Sequence, residues 1–362
     1  MTTDMKLFFD ARYIRTDFHD GISRYSVELG NALAKLTPVT FIICDPAQLT
    51  FLPKNAQCIV IHRPTSVREP LTARILNAYN PDVVFSPMQT MGSSGRTFKL
   101  ILTLHDMIYY HHRTPPHNMH PIVRAGWYGF HLTYGPQRLL LNGADAVATV
   151  SQTSKNEIAK ARLTKRAITV IPNAARDLKS FLASAPRHNH DGPKNLIYMG
   201  AFMPYKNVET LIEGMKWLPD HTLHLLSRIS PGRKAQLRSL APTGAKIIFH
   251  EGVSDEQYAH LLAANAVLVT ASLNEGYALP IAEALALGVP AVVSEIPVFH
   301  EVAGPGALYF NPYNPKDFAN KVQQLSSPEL VKKLSSEGKA HTKQSSWEKS
   351  AQILLDLARS LT

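Results

Sequence analysis

Apolar residues along this chain come in short unbroken runs rather than in alternation. KLFFDA, VTFIICD, CIVIH, DVVFS, LILTLHD, AVATVS and AITVIPN recur through the first half; NLIYMGA, HTLHLLS, KIIFHEG, AVLVTAS, PAVVSE and ALYFN follow in the second. Such runs predict strands covered on both faces, as in parallel sheets packed between helices. Between them lie segments with apolar positions at helical spacing, among them ISRYSVELGNALAKL, TSKNEIAKARL, NVETLIEGMKWL and DEQYAHLLAAN. The alternation predicts an α/β protein built from two doubly wound domains. The pattern restarts after the polar stretch FLASAPRHNHDGPKN, so the expected domains are residues 1–184 and 195–343, with a linker at 185–194. Residues 344–362 read as an amphipathic terminal helix, capped by serine and anchored by Trp347.

Length and composition narrow the class. A chain of 362 residues exceeds what one core usually fills, which agrees with two domains. No run approaches the roughly 18 apolar residues of a membrane span, and the polar start MTTDMK does not read as a signal peptide. Cys44 and Cys58 sit in apolar runs and read as reduced core residues of a cytoplasmic protein. The net charge of +10 is uneven: residues 1–185 hold 21 Lys and Arg against 12 Asp and Glu, and residues 186–362 hold 17 against 16. A basic first half suits a solvated surface, an anionic membrane or an acidic substrate. No nucleic-acid-binding motif accompanies it, so nucleic acid is not an expected partner.

The stretch SLNEGYALPIAEALALGVPAVVS, residues 272–294, carries the most chemistry. AVLVTAS reads as a strand, LNEGYAL as the loop leaving it, and PIAEALAL as a helix with Pro280 in its first turn and Gly288 at its end. Ligands of open α/β sheets bind beyond the C-terminal strand ends. The backbone N–H groups of Gly276, Tyr277, Ala278 and Leu279 are therefore expected to form an anion site at the helix start. Glu275 precedes those amides and Glu283 follows within the helix, so the two carboxylates can grip different hydroxyls of one long ligand. A nucleotide sugar fits that spacing.

Taken with further landmarks, these residues resemble retaining glycosyltransferase family 4. Glu275 and Glu283 match its E-x7-E signature, Gly21-Ile22-Ser23-Arg24-Tyr25 its N-terminal glycine loop, and His105-Asp106 its HD pair. Val150-Ser151, Pro172-Asn173, Gly200 with Lys206-Asn207, and Gly252-Val253-Ser254 match later landmarks in order. The resemblance implies the GT-B fold, two Rossmann-like domains facing a central cleft, with a terminal helix that crosses back to the first domain. It implies a nucleotide-sugar donor, GDP-mannose favoured over a UDP-sugar, and a glycan or lipid-linked acceptor. Glu275 would hold the donor sugar's hydroxyls, Glu283 the ribose hydroxyls, Lys206 the diphosphate and Val253 the base. His105 would approach the anomeric centre, and Gly21 would admit diphosphate or acceptor. Neither cofactor nor metal is expected, because electrostatic stabilisation of the departing diphosphate suffices.

Two departures from the family pattern stand out. Ala201 occupies the place where an Arg usually follows the glycine, and Ala278 stands where Gly is frequent. Arg228, after the next strand, is the candidate replacement for the missing phosphate-binding charge. Rival readings are a sugar-nucleotide epimerase on the same fold and a non-catalytic nucleotide-sugar-binding partner subunit. Taken singly, His105 also reads as a core histidine, Lys206 as a surface lysine and Gly21 as a helix-entry turn. His111, His112, His117 and His120 show no defensible zinc spacing. PIVRAGWYGFHLTYGPQRLLL reads either as a helix packed into the first domain or as an amphipathic segment facing an anionic membrane. The expected location is the cytoplasm, with the inner face of the plasma membrane as the place to meet a lipid-linked acceptor.

Overall fold

The computed structural model describes residues 5–115, 121–182 and 192–362, the side chains of residues 121 and 122 excepted. His117, His120 and most of the expected linker lie outside them. The chain forms two compact units, residues 1–173 with 345–362, and residues 174–344.

The first unit holds a seven-stranded sheet: β1 (Leu7–Asp10), β2 (Val39–Ile43), β3 (Gln57–Val60), β4 (Val83–Ser86), β5 (Lys99–Thr103), β6 (Ala146–Thr149) and β7 (Ile168–Val170). The second holds six strands: β8 (Asn195–Tyr198), β9 (Thr222–Leu225), β10 (Lys246–Phe249), β11 (Ala266–Thr270), β12 (Ala291–Ser294) and β13 (Ala307–Phe310). All thirteen coincide with the apolar runs read from the sequence. Strand orders are β3-β2-β1-β4-β5-β6-β7 and β10-β9-β8-β11-β12-β13, and every pairing is parallel. Parallel strands need crossovers, and helices on both faces explain why β1, β4, β6 and β12 are buried along their whole length.

The edges behave differently. β3 and β10 are largely exposed or half-buried, because each has a neighbour on one side only. Cys58 lies on β3 and is exposed, which corrects its reading as a core residue; Cys44 is partly buried, and both thiols are free. The segment read as one helix is two, Pro121–Leu132 and Gly135–Asn142, with Pro136 in the first turn of the second. Among the described residues, no helix is long and apolar enough to cross a membrane.

Each order reverses at one place, between β1 and β4 in the first unit and between β8 and β11 in the second. These are the switch points where doubly wound sheets open a crevice for ligands. In the first unit, buried charge fills that position. Arg12 Nε meets Asp10 Oδ1 at 2.8 Å, its Nη1 meets Glu69 Oε2 at 2.7 Å, and Ser86 Oγ donates to Asp10 Oδ2 at 3.2 Å. No periodic pattern along the chain marks this network.

The terminal helix Trp347–Leu361 belongs to the first unit and packs on the helix Gly21–Ala34. Ser346 caps it by accepting from Lys349 N, Ser350 Oγ donates to Pro172 O at 2.6 Å, and buried Trp347 lies 6.0 Å from the Tyr25 ring. The units divide between Asn173 and Ala174, ahead of the expected linker at 185–194. The cause is the short 3-10 turn Leu178–Phe181, which packs against the second unit's helices Asp255–Ala263 and Leu279–Leu287.

Burial lowers the pKa of His105, His112, His131, His221, His224 and His250 below the ordinary value of about 6.5. The unfolded chain therefore takes up protons first as pH falls. The stability from these groups is complete above about pH 6.5 and is lost progressively below it. A melting temperature lower at pH 5.5 than at pH 7.5 is the expected result. An equal or higher one at pH 5.5 would contradict it.

Candidate donor site

The second unit's switch point is lined by the loops leaving β8 and β11. After β8, Gly200 is required by Tyr198: a methyl at Gly200 would come within 2.9 Å of the Tyr198 hydroxyl, which donates to Ala201 O at 2.6 Å. The chain then makes a 3-10 turn, Pro204–Lys206, and reverses at Asn207 with φ of +52°. That left-handed conformation suits Asn or Gly and accounts physically for the Lys-Asn pair. Asn207 Nδ2 donates to Ala271 O at 3.2 Å and Pro312 O at 2.7 Å, and Leu273 N donates to Tyr205 O at 2.8 Å. The two loops are thereby tied together.

This tie brings Lys206 to Glu275. Nζ meets Oε1 at 2.5 Å, with the side chains only 17% and 10% exposed, and Ser272 Oγ donates to the same oxygen at 2.7 Å. Glu275 Oε2 makes no hydrogen bond among the described residues. A cavity of about 30 Å³, enough for one water, lies against this pair and is also lined by Tyr198, Thr270 and Ala278. Burial, then the nearby Glu275 charge, raise the Tyr198 pKa well above its ordinary value. The phenol therefore stays neutral.

The helix Leu279–Leu287 begins after Ala278 and ends at Gly288, whose φ is +87°. Among the described residues, the amides of Gly276, Ala278 and Leu279 donate no backbone hydrogen bond. Ala278 and Leu279 supply orphan donors of the kind every helix start presents, and Gly276 adds one from the loop just before it. Ala278 itself sits at φ +74° and ψ +72°, which glycine adopts freely and alanine does not. Relief of that strain, about 1–2 kcal/mol, outweighs the extra unfolded-state entropy of glycine, about 0.4–1 kcal/mol. Ala278→Gly is thus expected to raise the urea midpoint modestly; a lowered midpoint would show that the strain is absent.

Glu283, 3% exposed, forms the second cluster, about 6 Å along the helix axis from Leu279. Its Oε1 accepts from Arg176 Nε at 2.5 Å, and Arg176 Nη1 meets Asp255 Oδ2 at 2.7 Å. Asp255 opens the helix that follows Val253-Ser254, where Ser254 and Gln257 form a capping box. In the adjoining loop, Gly252 has φ of +115°, and a methyl there would come within 3.1 Å of Arg228 Cγ. Arg228 is exposed and lies along this loop beside half-buried Val253.

Lys206, Glu275, Gly276 to Leu279, Glu283, Val253 and Arg228 thus all belong to the second unit and gather on the loops and helix starts around its sheet. His105 and Gly21 belong to the first unit. His105 Nε2 lies 2.8 Å from Pro87 O, and its ring meets Tyr25 edge-on at 5.1 Å. Burial lowers its pKa, partly offset by that carbonyl. Gly21 opens its helix behind the cap Asp20, and a methyl there would meet nothing within 4 Å, so packing does not demand glycine. Sequence reasoning missed Arg176, Asp255 and Ser272. It also missed Arg233, whose Nε supports the β8 loop at Phe202 O, 3.1 Å away. Among the described residues no group of three or more His, Cys, Asp or Glu could hold a metal ion.

The two doubly wound parallel sheets give the chain a GT-B fold, and both family models that match it are glycosyltransferase models. Residues 19–176 match the family model "Glycosyltransferase Family 4", and residues 180–341 match "Glycosyl transferases group 1". The O-antigen chain mannosyltransferase RfbU of Salmonella typhimurium is 26% identical over 84% of this chain and 87% of its own length. Sucrose-phosphate synthase from Thermosynechococcus elongatus superposes with a TM-score of 0.77, 20% identity and 99% of each chain covered. Anabaena Alr3699/HepE, in complex with UDP and glucose, does so with a TM-score of 0.73, 18% identity, and 98% of this chain and 100% of its own covered.

Proposed function

We propose that this glycosyltransferase is retaining and metal-independent, and that it moves a hexose from a nucleotide diphosphate sugar to a hydroxyl of a glycan or lipid-linked acceptor. The observation that carries the reading is the Lys206–Glu275 contact of 2.5 Å beside unbonded amides at a helix start. The ammonium has three donors, so Nζ can keep Glu275 while donating to a diphosphate oxygen. The amides of Gly276 to Leu279 add fixed partial positive charge where the leaving group becomes anionic. Glu275 Oε2 accepts from a sugar hydroxyl and Glu283 Oε2 from the ribose. Arg228, set along the Gly252 loop, acts on the nucleotide and supplies the charge that Ala201 lacks.

GDP-mannose is the favoured donor over a UDP-sugar, on the strength of the mannosyltransferase relative. Exposed Val123, Tyr128, Leu132 and Leu139, with Arg138 among them, support contact of the segment 121–142 with an anionic membrane bearing the acceptor. The testing experiment incubates the protein with a glycan or lipid-linked acceptor and GDP-mannose or UDP-glucose, follows nucleotide release, and determines the anomeric configuration of the glycosylated acceptor by NMR. GDP release with retained α configuration is expected. Inverted product, or epimerisation of the donor without acceptor, would overturn the reading.

A further inference from the structure

Arg176 is one of the residues at this site that no motif announces. It lies in the irregular segment just before the 3-10 turn Leu178–Phe181, where buried Leu178 and the cap Asp177, accepting from Lys179 N, fix the backbone. Its side chain is 9% exposed and spans two helices, reaching Glu283 with Nε and Asp255 with Nη1. Burial alone would lower the guanidinium's pKa; Glu283 and Asp255 outweigh that and raise it. The cation is therefore permanent. Glu283 Oε1 is taken by Arg176, whereas Oε2 makes no hydrogen bond among the described residues.

We infer that Arg176 is a positioning residue for the nucleoside end of the donor: it orients Glu283 so that Oε2 meets the ribose, and it fixes Asp255 beside the Val253 loop. The inference rests on the proposed reading that Glu283 takes the ribose hydroxyls. Its chemistry follows from the fork of the guanidinium. Nε and Nη1 lie in one plane, so the two carboxylates are held at a set separation that a flexible ammonium would not impose. A carboxylate fixed before the ligand arrives loses no rotamer freedom on binding.

Isothermal titration with three probes separates this role from general loosening of the fold. The probes are GDP, UDP and inorganic pyrophosphate, which lacks both ribose and base. For whichever nucleotide binds the native protein more tightly, Arg176→Met should raise Kd about tenfold or more. Pyrophosphate affinity should stay unchanged, and Arg176→Lys should recover part of the nucleotide loss. In a Glu283→Gln background, Arg176→Met should add little, because the two residues act as one unit. This double variant also removes the unpaired buried charge, so it remains informative if Arg176→Met alone does not fold. Unchanged nucleotide binding in Arg176→Met, or parallel loss of pyrophosphate, overturns the inference. If Glu283→Gln itself leaves nucleotide binding unaltered, the ribose reading of Glu283 is what fails.

Discussion

Replacing Lys206 by Ala is expected to cut sugar transfer by about 10²–10³-fold, the usual loss when one preorganised donor to a developing anion is removed. The ammonium is held 2.5 Å from Glu275 Oε1 at the mouth of the β8 and β11 loops, and it is mostly shielded from water. There a charge acts more strongly on a departing diphosphate than it would in bulk solvent. The loss should fall on kcat, because the leaving group gains charge as the bond breaks, and nucleotide affinity should fall less. Steady-state kinetics with GDP-mannose and UDP-glucose provide the check. A kcat within about threefold of the native value would mean that Lys206 only braces Glu275.

Glu275→Ala carries the second large effect. It removes the carboxylate proposed to hold the donor sugar and also frees Lys206, so Nζ loses the partner that aims it. Turnover should fall at least about 10²-fold, comparable to the loss of an aligned charge-assisted contact in a water-poor site. Glu283→Ala should instead act mainly on donor binding, since Glu283 lies inside the helix and is linked through Arg176 to Asp255, next to the Val253 loop. Minor, equal effects from the two changes would contradict the division of labour between them.

What could be read in advance follows from how the information is stored. The interior strands were visible because burial on both faces leaves an unbroken apolar run, as at AVLVTAS and PAVVSE. Glu275, Lys206 and Glu283 were visible because they stand at fixed offsets from structural punctuation: Pro280, Gly288 and the left-handed Asn207. Arg176 was not, because it lies in an irregular segment whose partners are 79 and 107 residues away, and nothing local encodes such pairing. Cys58 misled for a related reason. CIVIH is as apolar as any interior strand, yet β3 ends at the sheet's edge, and strand order is invisible in a single run. The buried Arg12–Asp10–Glu69 network likewise depends on residues 57 positions apart. The boundary at Asn173 reflects packing of Leu178 rather than any shift in composition.

A crystal structure of this chain soaked with GDP tests the donor site most directly. The expected density places the diphosphate within hydrogen-bond distance of Lys206 Nζ and the amides of Gly276 to Leu279, with the ribose against Glu283. Nucleotide bound elsewhere, with the 272–294 segment empty, would contradict the assignment.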